Sequence, residues 1–273
     1  MRRLMAVLAH PDDESLGFGG TLARYASEGV TTALVTVTRG DRGRFGDARP
    51  GDDGHPGLAA LGAIRESELR AAAATLGVHD VTVLGYGDQR VDQTEPRHIV
   101  AEIAGHIRRV RPDVVVTFGP DGAYGHPDHI AVSQFTAAAI IAAADAACTL
   151  GDDTHLEPHA VSKLYFLAWP SATWDAYQHA FKTLVSTVDG VERHAVPWPE
   201  WAVTSVVDTD RVAGTVWRAV QCHVSQIAAY GRLRNLPEAQ LQALWAQQCF
   251  YRVFSTVNCG RARETDLFEG IPR

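Results

Sequence analysis

Short apolar runs alternate with helix-patterned segments through the first half of the chain, and this alternation restricts the fold more than any other feature. Leu4-Met5-Ala6-Val7-Leu8, Thr32–Val37, Val81–Leu84 and Asp113–Phe118 read as strands. Between them lie helical patterns: Thr21–Ala26 stopping at Gly29, Ile64–Leu76 stopping at Gly77, and Glu95–Arg109 ending before Arg111-Pro112. An alanine-rich helix, Ile130–Ala147, follows the fourth strand. The pattern predicts an α/β fold with a doubly wound, mostly parallel sheet. Beyond residue 150 the signal weakens and predicts a smaller C-terminal α+β extension. Its expected elements are strands at Lys163–Ala168 and Ser205–Val207, helices at Thr209–Tyr230 and Leu236–Gln248, and a last strand at Phe250–Val257. The 273 residues are expected to form one domain, with 1–150 as the core and 151–273 completing a pocket.

In an open α/β sheet, ligands bind beyond the carboxyl ends of the strands. The first strand runs directly into Ala9-His10-Pro11-Asp12-Asp13-Glu14, and the fourth is followed by Tyr124-Gly125-His126-Pro127-Asp128-His129. Each cluster pairs a His with a second ligand-type residue three positions on, and each has Pro directly after the first His. Proline disfavours helix at the residue before it, so both clusters begin as fixed turns. Two histidines and a carboxylate with open positions make a hydrolytic zinc or non-haem iron site. Such chemistry also needs groups to deprotonate water, stabilise an oxyanion and protonate a leaving group. The clusters hold more candidates than ligand positions, and spacing alone does not divide these jobs among them. Either cluster alone could be a capped loop start, with Asp12 or Asp13 as N-cap. Repetition after two strands favours a shared site. Gly17, Gly19 and Gly20 do not meet the G-x-G-x-x-G fingerprint, and carboxylates at that strand end would repel a pyrophosphate.

A net charge of -7 without basic runs argues against nucleic acid or an anionic membrane as partner. Cys148, Cys222, Cys249 and Cys259 show no C-x-x-C spacing and read as reduced thiols. Arg2 and Arg3 precede only six apolar residues before His10, too few for a signal segment, and no apolar run reaches membrane-span length. The expected location is the cytoplasm.

The paired motifs resemble the LmbE-like, or PIG-L, N-deacetylases, and the likeness extends from the first strand through Gln226. The resemblance implies a Rossmann-like core and a metal-dependent hydrolase acting on a small N-acetylated amino-sugar substrate, with Zn²⁺, or Fe²⁺, as cofactor. It implies His10, Asp13 and His129 as metal ligands and Asp12 as general base. His126, protonated, would stabilise the tetrahedral intermediate or protonate the leaving amine. Asp128 would orient and charge that imidazole, and Tyr124 would help polarise the amide carbonyl. Arg65, Glu14 and His223, the last in His223-Val224-Ser225-Gln226, are the expected substrate-binding residues. Glu68 matches a family acid of undefined role. His55, His155 and His159 read as loop or surface residues, and Trp198 and Trp201 as cleft or core. The same site could serve an amidase of thiol S-conjugates, and a non-catalytic nucleotide-binding protein is the reading from another class. The resemblance also leaves homo-oligomer formation open.

Overall fold

The computed structural model describes residues 1–148, 156–180, 185–188, 191–194, 196–228, 232–237, 240, 244–258, 260 and 262–272. The strands are β1 (Arg3–Leu8), β2 (Thr31–Thr38), β3 (Asp80–Tyr86), β4 (Val114–Thr117), β5 (Lys163–Leu167), β6 (Val185–Val188), β7 (Val191–His194), β8 (Ser205–Asp208) and β9 (Gln247–Ser255). The helices are α1 (Asp13–Leu16), α2 (Gly19–Ser27), α3 (Leu58–Leu76), α4 (Pro96–Val110), α5 (Gly122–Gly125), α6 (Pro127–Ala144), α7 (Ser171–Ala180) and α8 (Ala213–Cys222).

Seven strands form one sheet in the order β3-β2-β1-β4-β5-β9-β8, and β6 and β7 form a separate antiparallel hairpin. The first five strands of that order are parallel, and β9 turns antiparallel to both β5 and β8. Leu4 to Leu8 and the valines of β4 are completely buried, as central strands covered on both faces must be. α4 packs against α6, and α8 packs against α2 and α3. The strand order reverses between β1 and β4, and this switch point opens a crevice at their carboxyl ends.

The doubly wound core matches the expectation, with differences at element ends. α3 begins at Leu58, ahead of the expected Ile64, because Gly57 turns the chain with φ 90° and the helix follows at once. It ends as expected on Gly77, whose φ of 78° suits the left-handed cap. α8 stops at Cys222, well short of Tyr230, because His223, Ser225 and Gln226 bond to Glu14 of α1, Glu68 of α3 and the Arg44 carbonyl instead of continuing a helical face. β9 starts at Gln247, so a helix cannot reach Gln248, and residues 238–239 and 241–243 of the expected 236–248 helix lie outside the described residues.

The junction of β5, β8 and β9 is fastened by one buried carboxylate. Glu264 accepts hydrogen bonds from Lys163 Nζ (2.8 Å), Arg252 (2.7 Å), Asn258 (2.7 Å), Ser205 (2.7 Å) and the Tyr165 hydroxyl (2.7 Å). Burial opposes its charge, but the bonds from Lys163, Asn258, Ser205 and Tyr165 outweigh that and lower its pKa to about 2.

Candidate active site at the ends of β1 and β4

The chain leaves β1 through Pro11 and turns sharply at Asp12, a non-glycine residue with φ 115°. The backbone N–H of Asp12 donates to Glu14 Oε2 (2.9 Å), and Arg65 donates to its carboxylate (2.9 Å) and to the Pro11 carbonyl. Asp13 then folds back, and its Oδ2 accepts from the His10 backbone N–H (2.7 Å). Beyond β4, Ala123 takes φ 63°, and His126 caps α6 by accepting from the Asp128 N–H (3.2 Å). Pro127 occupies the first helical turn, where its missing N–H costs nothing.

These two turns bring the imidazoles together. His10 Nδ1 lies 3.2 Å from His129 Nε2, and the Asp13 carboxylate lies 3.6 Å from the first and 3.4 Å from the second. His126 joins them, its ring centroid 4.8 Å from those of both His10 and His129. Phe118 stacks on His129 at 3.9 Å, and Tyr124 meets His129 edge-on at 5.3 Å. His10, Asp13, His126 and His129 thus meet at the switch point, and Asp12 and Tyr124 line one cavity with Asp13 and His129.

Asp128 does something other than expected. Its carboxylate accepts from the backbone N–H groups of Gln89 (2.7 Å) and Val91 (3.1 Å) and lies 3.0 Å from His10 Nε2. It therefore orients His10, and the expected bond from its carboxylate to His126 is replaced. The expected charging of His126 fails with it. Burial and the neighbouring His129 and His10 push its pKa down, and the attraction of Asp128 is too weak to reverse that. For His10 burial also opposes charge, but hydrogen bonds to Asp128, Asp13 and Asp88 hold its pKa well above the ordinary value.

Asp88 was not among the residues expected here. Its Oδ1 lies 3.2 Å from His10 Nε2, and its Oδ2 accepts from the Arg42 N–H (2.8 Å). The signal was faint: Gly87-Asp88 follows the third strand run at its carboxyl end, but a single acid in a turn has no repeating signature.

The three expected substrate-binding residues lie behind the loop. Glu14 and His223 are fully buried and paired at 2.7 Å, and burial on His223 is outweighed by the Glu14 charge, raising its pKa. Arg65 is buried and also donates to the Gly40 carbonyl (2.8 Å). Their partners are the turn that carries Asp12. The same element continues with Ser225, which donates to both oxygens of Glu68 (2.7 Å each), and Gln226, which donates to the Arg44 carbonyl (2.6 Å). Glu68 thus anchors the turn that follows α8. Trp198 donates to Asp121 (3.2 Å) beside the Tyr124 turn, whereas Trp201 is exposed. His55 and His159 bond to backbone carbonyls of loops, and His155 lies outside the described residues.

A cavity of about 150 Å³ opens beside Asp12, Asp13, Tyr124 and His129. The rest of its wall is mostly apolar: Leu16, Phe118, Leu167 and Trp169, with Trp169 stacked on Tyr177 at 4.3 Å.

An imidazole–carboxylate cluster at the switch point of a doubly wound sheet is the arrangement of a metal-assisted hydrolase. A family model described as PIG-L: GlcNAc-PI de-N-acetylase matches residues 5–140. The 1D-myo-inositol 2-acetamido-2-deoxy-alpha-D-glucopyranoside deacetylase of Streptomyces griseus subsp. griseus is 36% identical, over 99% of this chain and 89% of its own length. The chain belongs to the PIG-L family, and it is a hydrolytic deacetylase. Among solved structures, N,N'-diacetylchitobiose deacetylase from Pyrococcus horikoshii superposes with a TM-score of 0.67 at 18% identity, over 92% of this chain and 84% of that one. The 4-carboxy-2-hydroxymuconate hydratase of Pseudomonas putida KT2440 superposes with 0.69 at 20% identity, over 96% and 100%. At these identities the two structures show a shared fold. Among the described residues, no helix is long and apolar enough to cross a membrane.

Proposed function

We propose that this enzyme hydrolyses the acetamide of an N-acetylglucosaminyl conjugate, of the inositol-glycoside kind named for its relatives, with a divalent cation held by His10, Asp13 and His129. The observation that carries the reading is the mutual approach of their ligand atoms to 3.2–3.6 Å. Because Asp128 and Asp88 both face His10 Nε2, that nitrogen keeps its proton and Nδ1 turns a lone pair towards His129 and Asp13. A donor set of two imidazoles and one carboxylate suits Zn²⁺ first and Fe²⁺ as the other candidate.

The cation, when bound, supplies Lewis acidity that polarises the amide carbonyl and makes water easier to deprotonate. Asp12, steered by Arg65, takes the proton of the attacking water. Tyr124 points its ring into the cluster and offers its hydroxyl to the developing oxyanion, since burial first and Asp13 and Asp12 next keep it protonated. His126, between the cluster and solvent, exchanges the proton that leaves with the amine. Leu167, Trp169 and Tyr177, from the part of the chain beyond residue 150, complete the wall of the cleft.

The test is amine release from N-acetylglucosamine and from its inositol glycoside, on protein of measured metal content. It is run as purified, after chelation, and with Zn²⁺ or Fe²⁺ restored. About one metal per chain, with activity lost on chelation and regained, is the expected result. A chain that binds no metal, or releases amine equally well after complete chelation, overturns the reading.

A further inference from the structure

The two sides of the cluster differ in kind. Over the ends of β2 and β3 the surroundings are polar: Asp88, the loop that follows β2, and the exposed Arg42. Over the ends of β4 and β5 lies the cavity of about 150 Å³, walled by Leu16, Phe118, Leu167 and Trp169. The sheet order separates the halves, with β1 and its His10 between them.

A sugar ring placed in the cavity would bring hydroxyls that need partners. The apolar wall offers few, because Leu16, Phe118 and Leu167 carry no polar side-chain atom and the Tyr177 hydroxyl is already donated to the Leu16 carbonyl. A hydrocarbon chain makes no such demand. An apolar protein cavity of about 150 Å³ accommodates a molecule of roughly six carbon atoms, far more than the methyl of an acetyl group. The bond from Tyr177 to Leu16 fixes the wall, so the space is built in advance and does not depend on closure around a ligand.

Resting on the deacetylase reading above, we infer that the cavity is an acyl pocket and that the enzyme is a broader N-deacylase, hydrolysing amides of straight-chain acyl groups longer than acetyl. In each case the C–N bond breaks, water oxygen joins the acyl carbon, and a short-chain carboxylic acid and a free amine leave. The amino sugar lies on the polar side, towards the loop after β2 and its exposed Arg42.

The experiment compares kcat/KM for glucosamine carrying N-acetyl, N-propionyl, N-butyryl and N-hexanoyl groups, using metal-loaded enzyme. Each buried methylene adds up to about fourfold, so N-butyryl, with two more, is expected at or above N-acetyl, by up to roughly fifteenfold. In Leu167→Phe, whose larger ring fills the cavity, the butyryl-to-acetyl ratio is expected to fall at least about tenfold. A second reading needs no variant: butyrate should inhibit N-acetyl hydrolysis at lower concentration than acetate does. If N-acetyl is hydrolysed and N-butyryl is about thirtyfold worse or more, this inference is wrong and the deacetylase reading stands. If no amide of the series releases amine with either metal, both fail.

Discussion

Asp128 lies 3.0 Å from His10 Nε2 across the β1–β4 crevice, while its own backbone N–H donates to Nδ1 of His126, the cap of α6. The carboxylate is thus spent on one histidine and the peptide on another. A carboxylate behind a ligand histidine fixes its tautomer and typically governs metal affinity. Asp128→Asn is therefore expected to weaken Zn²⁺ binding about 10- to 100-fold, read by competition with a chelator. With saturating metal, much of its activity should return. A variant with unchanged affinity and a permanently low kcat would mean that Asp128 acts on His126 after all.

Asp12 combines a reactive carboxylate with a backbone that L-residues rarely adopt, φ 115° and ψ -25°. Asp12→Asn is expected to keep metal and lose roughly 10²- to 10⁴-fold in turnover. Asp12→Ala and Asp12→Gly remove the same carboxylate but differ in backbone freedom. Glycine should be the more stable of the two by about 1–3 kcal/mol, read by thermal melting. Equal melting temperatures would show that the turn stores no strain.

Arg65 spreads its guanidinium over the Asp12 carboxylate and the carbonyls of Pro11 and Gly40. A lysine keeps the charge but cannot reproduce that planar fork. Arg65→Lys is expected to lower kcat about 10- to 100-fold with little change in KM. A rise in KM at constant kcat would instead restore the substrate-contact role implied by the family resemblance.

Glu264 links pH to stability. Its pKa is about 2 in the fold and about 4.5 when free, so its contribution is complete above about pH 4.5 and drains away as pH falls towards about 2. The shift corresponds to something on the order of 3 kcal/mol. Glu264→Gln should be destabilised at pH 7 and show a flatter acid-unfolding curve than the wild type in denaturant titrations. Parallel curves for the two proteins would remove Glu264 from the acid sensitivity.

The core strands were legible because complete burial leaves continuous apolar runs, and the two His-Pro turns because they recur after the strands that flank the switch point. Side-chain direction was not. Residues 126 and 128 are close in sequence, yet the turn of α6 sends the Asp128 carboxylate towards β1 and β3, where Gln89 and Val91 hold it. Glu14, Arg65 and His223 were legible as residues of the site, but not as its buried supports, because sequence carries no record of which face of a loop is covered. The C-terminal third was blurred for a related reason. Its order comes from distant polar partners such as Glu264 with Lys163, and not from a repeating apolar pattern.

The contact between His10 and His129 spans 119 positions of the chain. Neither turn can recruit the other until β4 has docked beside β1. If His10, Asp13 and His129 hold the metal as proposed, the rate at which it becomes chelator-resistant should track β1–β4 docking and lag behind helix formation. A ribosome-bound fragment ending before α6 would carry His10 and Asp13 without their partner and would be blind to metal.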